Sequence, residues 1–182
     1  MPIDVSAAVI ANRPLSADYN VLALAAPAIA AATVPGQFMM LKAGRGSDPL
    51  LRRPFSVFEV LRDANGAPTG VSILSKRIGA STSLLYDARP GDHIACLGPL
   101  GRPFSIVEPP AEAWMVAGGV GLAPFATLAE ALRARGTRTT LFYGARRAEE
   151  LFYLDFFRGL NVTLVLSTED GSAGERGRIV SP

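Results

Sequence analysis

The sequence predicts two lobes of different construction: a β sandwich or barrel first, then an α/β lobe with a parallel sheet. Three observations carry this. Short apolar runs divided by turn signals fill the chain up to Phe104, a linker-like Glu108-Pro109-Pro110 follows, and from Trp114 onward strand and helix patterns alternate.

In the first lobe, Val5 to Ala11 and Tyr19 to Ala25 are apolar runs, and Pro35-Gly36 precedes a third at Gln37 to Lys42. Phe55 to Leu61 favours strand, with Phe55, Val57 and Phe58. Asp63-Ala64-Asn65-Gly66 is a turn signal before the strand Val71 to Ser75. Another strand starts at Gly91-Asp92 and ends at Gly98-Pro99. A single helix is expected among them, capped by Ser81, Thr82 or Ser83, with Leu84 and Leu85 facing inward and Pro90-Gly91 ending it. In the second lobe, Trp114 to Ala117 reads as a buried-type strand. Pro124 to Arg135 has helical spacing, with Phe125, Leu128, Ala129 and Leu132 on one face and Gly136 as a stop. Thr139 to Tyr143 is a strand, Ala148 to Phe157 a helix and Val162 to Leu166 a strand. This β-α-β-α-β order implies crossover helices. The Phe152, Phe156 and Phe157 group reads as core. The lobes are expected at residues 1–107 and 108–182.

Composition excludes several classes. Of 182 residues, 49% are apolar and 19% charged, which supports a large core rather than disorder. With 18 basic and 16 acidic side chains the net charge is +2, and no Lys/Arg run forms a patch, so no nucleic-acid partner is expected. The single cysteine, Cys96, excludes an internal disulfide and any multi-cysteine metal site within these residues; it reads as a small apolar residue of a strand. Asp4 and the lack of a basic n-region argue against a signal peptide. The apolar stretch Val21 to Val34 contains Pro27 and is too short to span a bilayer. A soluble, cytoplasmic protein with no membrane association is expected. One histidine, His93, cannot build a metal site and reads as a surface or structural residue, and no Ser/His/acid set indicates a hydrolase.

Three motifs could carry chemistry. Arg53-Pro54-Phe55-Ser56 offers a guanidinium that can fork onto a phosphate, a ring that can lie against a flat heterocycle, and a hydroxyl for a polar edge. An exposed arginine ahead of a core strand reads the same residues equally well. Gly79-Ala80-Ser81-Thr82 opens the helix of the first lobe, where amides and about half a positive charge face an anion; an ordinary cap is the alternative. Gly118-Gly119-Val120-Gly121-Leu122-Ala123-Pro124 joins a strand to a helix, where glycines allow positive φ and close approach of a pyrophosphate. It is not the G-x-G-x-x-G fingerprint, because position 124 is proline, and Tyr143-Gly144-Ala145-Arg146 stands where that fingerprint's acidic partner would end the second strand. A tight structural turn is the alternative here.

Taken in order with Gly98-Pro99-Leu100-Gly101, these motifs resemble the ferredoxin–NAD(P) reductase superfamily over nearly the whole chain, and within it the electron-transfer subunits of bacterial dihydroorotate dehydrogenase. Thr168-Glu169-Asp170-Gly171-Ser172 followed by Gly177 resembles their nucleotide-lobe loop. The resemblance implies an FAD-binding, six-stranded antiparallel Greek-key barrel and an incomplete NAD(P)-binding α/β lobe. It implies that Arg53, Pro54, Phe55 and Ser56 line FAD, that Leu74, Ser75 and Lys76 follow the flavin and its ribityl-phosphate chain, and that Gly79, Ser81 and Thr82 meet the pyrophosphate. Ser81 stands where the family commonly has glycine. Gly118, Gly119, Gly121 and Pro124 would cradle NAD(H), with Tyr143, Gly144 and Arg146 nearby.

The implied activity is an oxidoreductase subunit passing electrons from NADH through FAD and a [2Fe–2S] cluster to a dihydroorotate dehydrogenase catalytic subunit, in a heterotetramer of pyrimidine biosynthesis. The family's cluster uses four cysteines in a C-terminal segment that these residues do not include, so the cluster is expected only in a longer product, with FAD binding retained and turnover impaired in this chain. For the same reason Trp114 to Ala117, central in the family sheet, is expected to be an exposed apolar edge. Two alternatives are another FAD-dependent reductase, serving ferredoxin, a hydrogenase or an oxygenase, and a non-catalytic flavin-binding or docking module.

Overall fold

Alternation of buried and exposed side chains lays out the first unit. In a computed structural model, which describes residues 1–44 and 49–180, the chain divides into one unit ending at Phe104 and a second beginning at Ser105. The first unit contains β1 (Ile3–Pro14), β2 (Tyr19–Ala25), β3 (Phe38–Lys42), β4 (Arg53–Ser56), β5 (Glu59–Arg62), β6 (Pro68–Lys76) and β7 (His93–Leu100). They form one sheet in the order β4-β3-β7-β1-β2-β6-β5, antiparallel throughout. In β7, Ile94, Cys96 and Gly98 are buried between exposed or half-buried neighbours, the period of a strand with one face on a core. Leu22, Leu24, Val71, Ile73, Met39 and Leu41 complete that core. Each such side chain contributes about 1.5–3 kcal/mol when fully buried.

The sheet curls at a two-residue corner. Val57 and Phe58, 1% and 0% exposed, separate the edge strands β4 and β5. The Val57 amide donates to Gln37 O beside β3, and the Phe58 amide donates to Ser72 O in β6. The corner thus bonds toward both edges of the sheet. This corrects the expected six strands: the sheet has seven, because the run Phe55 to Leu61 breaks where these two side chains turn into the core. The expected single helix is also corrected. Besides α2 (Ala80–Asp87) there is α1 (Pro27–Ala32), six residues with proline in the first turn and Ile29 and Ala30 buried.

The second unit holds β8 (Ala113–Gly118), β9 (Thr139–Ala145), β10 (Thr163–Thr168) and β11 (Glu175–Arg176), parallel, in the order β11-β10-β9-β8. A 3₁₀ turn at Gly119–Leu122 leads into α3 (Phe125–Ala134), whose apolar stripe buries Ala126, Leu128, Ala129 and Leu132; Gly136 follows at φ +69°. The expected helix Ala148 to Phe157 is split into a 3₁₀ turn at Ala148–Glu150 and α4 (Leu154–Gly159), with Tyr153 left-handed at φ 60° between them. β11 is an addition to the expected order. β8 is an edge strand: Met115 and Ala117 are buried, but Trp114 and Val116 are 72% and 51% exposed. Among the described residues no helix is long and apolar enough to cross a membrane.

Candidate functional site

Each of the two units carries a candidate site of its own. In the first unit, Arg53 and Pro54 are exposed and Phe55 and Ser56 half-buried on β4, an edge strand, where proline costs no interior ladder bond. The adjacent arginines differ. Arg52 Nη2 donates to both carboxylate oxygens of Asp4, at 2.8 and 3.0 Å, whereas the Arg53 side chain has no hydrogen bond or ion pair among the described residues. Residues 74–76 lie on β6, which approaches β4 through the corner. Their side chains diverge. Leu74 and Ser75 are 4% and 1% exposed, and Ser75 alternates with Ile73 toward the core, its hydroxyl without a partner. The Lys76 ammonium sits 4.7 Å from the centre of the Tyr19 ring. Ser75 therefore offers a ligand on the outer face of the strand its backbone, not its hydroxyl.

The start of α2 is built as an amide cradle. Thr82 Oγ1 accepts from the amides of Ile78 (2.9 Å) and Gly79 (3.0 Å) and donates to Gly79 O (3.0 Å). The first helical bond is Ser83 N to Gly79 O, so the amides of Ala80, Ser81 and Thr82 have no acceptor inside the helix. Thr82 is thus occupied in shaping the turn, and its contribution to an anion is the backbone N–H. Gly79 is extended (φ −174°), and a methyl group there would meet nothing within 4 Å.

In the second unit, Gly118 (φ −133°) ends β8 and Gly119 takes φ +51°, the region that favours glycine. A methyl group at Gly118 or Gly121 would again meet nothing within 4 Å. Pro124, at φ −70°, caps α3. Gly144 stands opposite Gly118 in register, but there a methyl group would lie 2.9 Å from Ile179 Cβ. Tyr143 is fully buried; its hydroxyl donates to Glu150 O at 3.2 Å, so its side chain holds the segment after β9. Arg146 is exposed just beyond. The loop after β10 is tied to the loop after β9, because Ser172 Oγ accepts from the Ala148 amide (2.8 Å) and donates to Asp170 Oδ1 (2.6 Å). The Ser172 hydroxyl and amide hold the Asp170 carboxyl below the usual carboxylate range. These loops gather at the carboxyl ends of parallel strands, where open α/β sheets bind ligands.

The glycines therefore fall into two kinds. At Gly98 a methyl group would lie 2.8 Å from Met39 Cβ, and at Gly101, φ +86°, 2.8 Å from the Phe38 ring. Those two serve packing of β7 on β3. Neither φ nor space within the protein demands glycine at 79, 118 or 121. Sequence reasoning missed the contacts that hold α2 from below, because no local pattern marks them. His93 is exposed, and among the described residues no group of three or more His, Cys, Asp and Glu could hold a metal ion. Cys96 is buried, and burial pushes its thiol up to about 12.

The Oxidoreductase NAD-binding domain family matches residues 115–180. The dihydroorotate dehydrogenase B (NAD(+)) electron transfer subunit of Desulforamulus reducens is 37% identical over 155 residues, 85% of this chain and 57% of its own length. The same subunit of Geobacillus thermodenitrificans is 33% identical over 94% of this chain and 65% of its length. The chain thus spans somewhat over half the length of the curated relatives it matches. An NADH-dependent reduced ferredoxin–NADP oxidoreductase superposes with a TM-score of 0.80 at 26% identity, over 95% of this chain and 60% of that one. A ferredoxin NADP+ reductase from Neisseria gonorrhoeae shares the fold, with a TM-score of 0.76 at 19% identity over 96% of this chain and 73% of that one. A curled antiparallel sheet followed by a parallel one, with this order of motifs and these similarities, makes the chain a member of the ferredoxin–NAD(P) reductase superfamily.

Proposed function

We propose that this chain is the flavin- and nicotinamide-binding part of an electron-transfer subunit that carries electrons from NADH through FAD to a dihydroorotate dehydrogenase catalytic subunit. The observation that carries the reading is the placing of three glycines the fold itself does not need, at 79, 118 and 121, in the two turns that lead into α2 and α3, where a phosphate can meet helix-start amides; Gly159, the other glycine of this kind, ends α4. The first unit suits FAD. The Arg53 guanidinium, which has no partner among the described residues, can fork onto a phosphate, the half-buried Phe55 ring and Ser56 can meet the flavin edge, and the amides of Ala80, Ser81 and Thr82 can receive the pyrophosphate. When bound, FAD supplies two-electron acceptance from a nicotinamide and one-electron delivery onward; the protein positions the groups, so no acid–base triad is required. Gly118, Gly119, Gly121 and Pro124 form the turn that would receive NAD(H), with Arg146 exposed beyond β9.

The seven strands are compatible with the six-stranded Greek-key barrel of the superfamily if β4 and β5 count as one strand bent at Val57-Phe58, and that is the reading we propose for the first unit. The name the relatives share, dihydroorotate dehydrogenase B electron transfer subunit, supports the catalytic-subunit partner; a cytoplasmic heterotetramer of pyrimidine biosynthesis is the assembly we propose. A [2Fe–2S] cluster does not fit the residues present, since Cys96 is the single cysteine and is buried. A second reading, a reductase serving ferredoxin, is favoured by the similarity to the NADH-dependent reduced ferredoxin–NADP oxidoreductase. Anaerobic NADH titration of the flavin-loaded full-length protein tests the shared core of both readings. Bleaching of the oxidised-flavin absorption band is expected. No bleaching at saturating NADH would leave only a non-catalytic flavin-binding or docking module. Orotate-forming activity restored by a dihydroorotate dehydrogenase catalytic subunit, and not by ferredoxin, separates the first reading from the second.

A further inference from the structure

We infer that Asn12, on β1 and far in sequence from the phosphate-binding turn, is a positioning residue that sets where that turn presents its amides. The inference rests on the FAD reading above. Asn12 Nδ2 lies 3.0 Å from Leu85 O, 2.8 Å from Tyr86 O and 2.8 Å from Ala88 O, the carbonyl end of α2. Those carbonyls belong to the last turn, where a helix has no acceptors' partners of its own, and a donor there also suits the negative end of the helix dipole. Only an NH₂ group can face three carbonyl oxygens, so the orientation of the Asn12 amide is fixed. Its Oδ1 then accepts from Asn20 Nδ2 at 2.7 Å, and Asn20 is fully buried on β2.

The rest of α2 is held at the same end. Leu85 enters the core, and the Tyr86 hydroxyl donates to Ser16 O at 2.7 Å. At the opposite end Thr82 shapes the turn through local contacts, and the Arg77 amide just before it donates to Asp18 O. An eight-residue helix is a stiff rod about 12 Å long, so fixing its carbonyl end fixes where its free amides point. Asn12 and Asn20 touch the far end of the rod, and neither is placed in the ligand site.

The test compares FAD with riboflavin, which has the same ring system and no phosphate. For Asn12→Ala the FAD dissociation constant should rise about tenfold, the size expected from losing a half-buried side chain that anchors three carbonyls, while riboflavin affinity stays unchanged. Asn12→Ser, which keeps one donor, should fall between; it also carries the comparison if the alanine variant does not fold. Independent of any variant, FAD should slow exchange of the Asn12 side-chain amide protons in the wild-type chain. Equal loss of both ligands would make Asn12 a general stabilising residue and overturn the inference. So would unchanged FAD affinity, or exchange of the Asn12 amide indifferent to FAD. Failure of the FAD reading looks different: the wild-type chain would then bind riboflavin as tightly as FAD, or neither.

Discussion

Replacing Gly118 by alanine separates what the fold needs from what a ligand needs. The added methyl group meets no heavy atom within 4 Å, and φ of −133° is ordinary β backbone. Nothing in the folded protein resists the change. Alanine also restricts the unfolded chain more than glycine does, so stability should stay level or rise by about 0.5 kcal/mol. The same methyl group stands where a pyrophosphate would contact the backbone, and nucleotide affinity should fall at least about tenfold, or about 1.4 kcal/mol. The assays are urea unfolding of the chain without ligand and an NADH binding titration. A loss of more than about 1 kcal/mol in unfolding would show that Gly118 serves the fold. Unchanged NADH affinity would remove the turn from the nucleotide site.

Three further outcomes follow from the same geometry. Gly98→Ala should cost about 1–3 kcal/mol in urea unfolding, because its methyl group would lie 2.8 Å from Met39 Cβ inside the sheet; an unchanged midpoint would contradict the β3–β7 packing. Arg53→Ala should change stability by less than about 0.5 kcal/mol, since the side chain has no partner among the described residues, yet weaken FAD binding at least about tenfold, measured by flavin fluorescence. Cys96 should resist thiol reagents at pH 8 in the native chain and react on unfolding. Burial raises its thiol from 9.0 to about 12, so the folded state gains from the neutral thiol below pH 9 and loses that gain as pH rises toward 12. Cys96→Ala should flatten that alkaline slope, and an identical slope would assign it to other groups.

The sequence displayed some of this plainly and hid the rest for physical reasons. α3 was legible because Leu128, Ala129 and Leu132 repeat at helical spacing and Gly136 ends the pattern. α1 was not, because a six-residue helix is too short for periodicity and lies inside an apolar run. The corner at Val57-Phe58 looks like uninterrupted strand in sequence; only hydrogen bonds to Gln37 and Ser72 reveal the break. β11 has two exposed charged residues and no apolar pattern, so its pairing with β10 is set by tertiary context. At the site, the sequence named the glycine turns but could not tell which glycines pack and which face open space. It also placed Tyr143 near a nucleotide, where the structure buries the ring and uses its hydroxyl to hold Glu150. Asn12 and Asn20 were silent, since their partners on α2 lie more than sixty residues away.

The flavin content of the 182-residue chain, purified gently and then assayed with added FAD, tests the central claim most directly. The account predicts a yellow protein, or a colourless one that takes up a single FAD per chain, with Arg53→Ala markedly weaker. A colourless protein that takes up no FAD would contradict it.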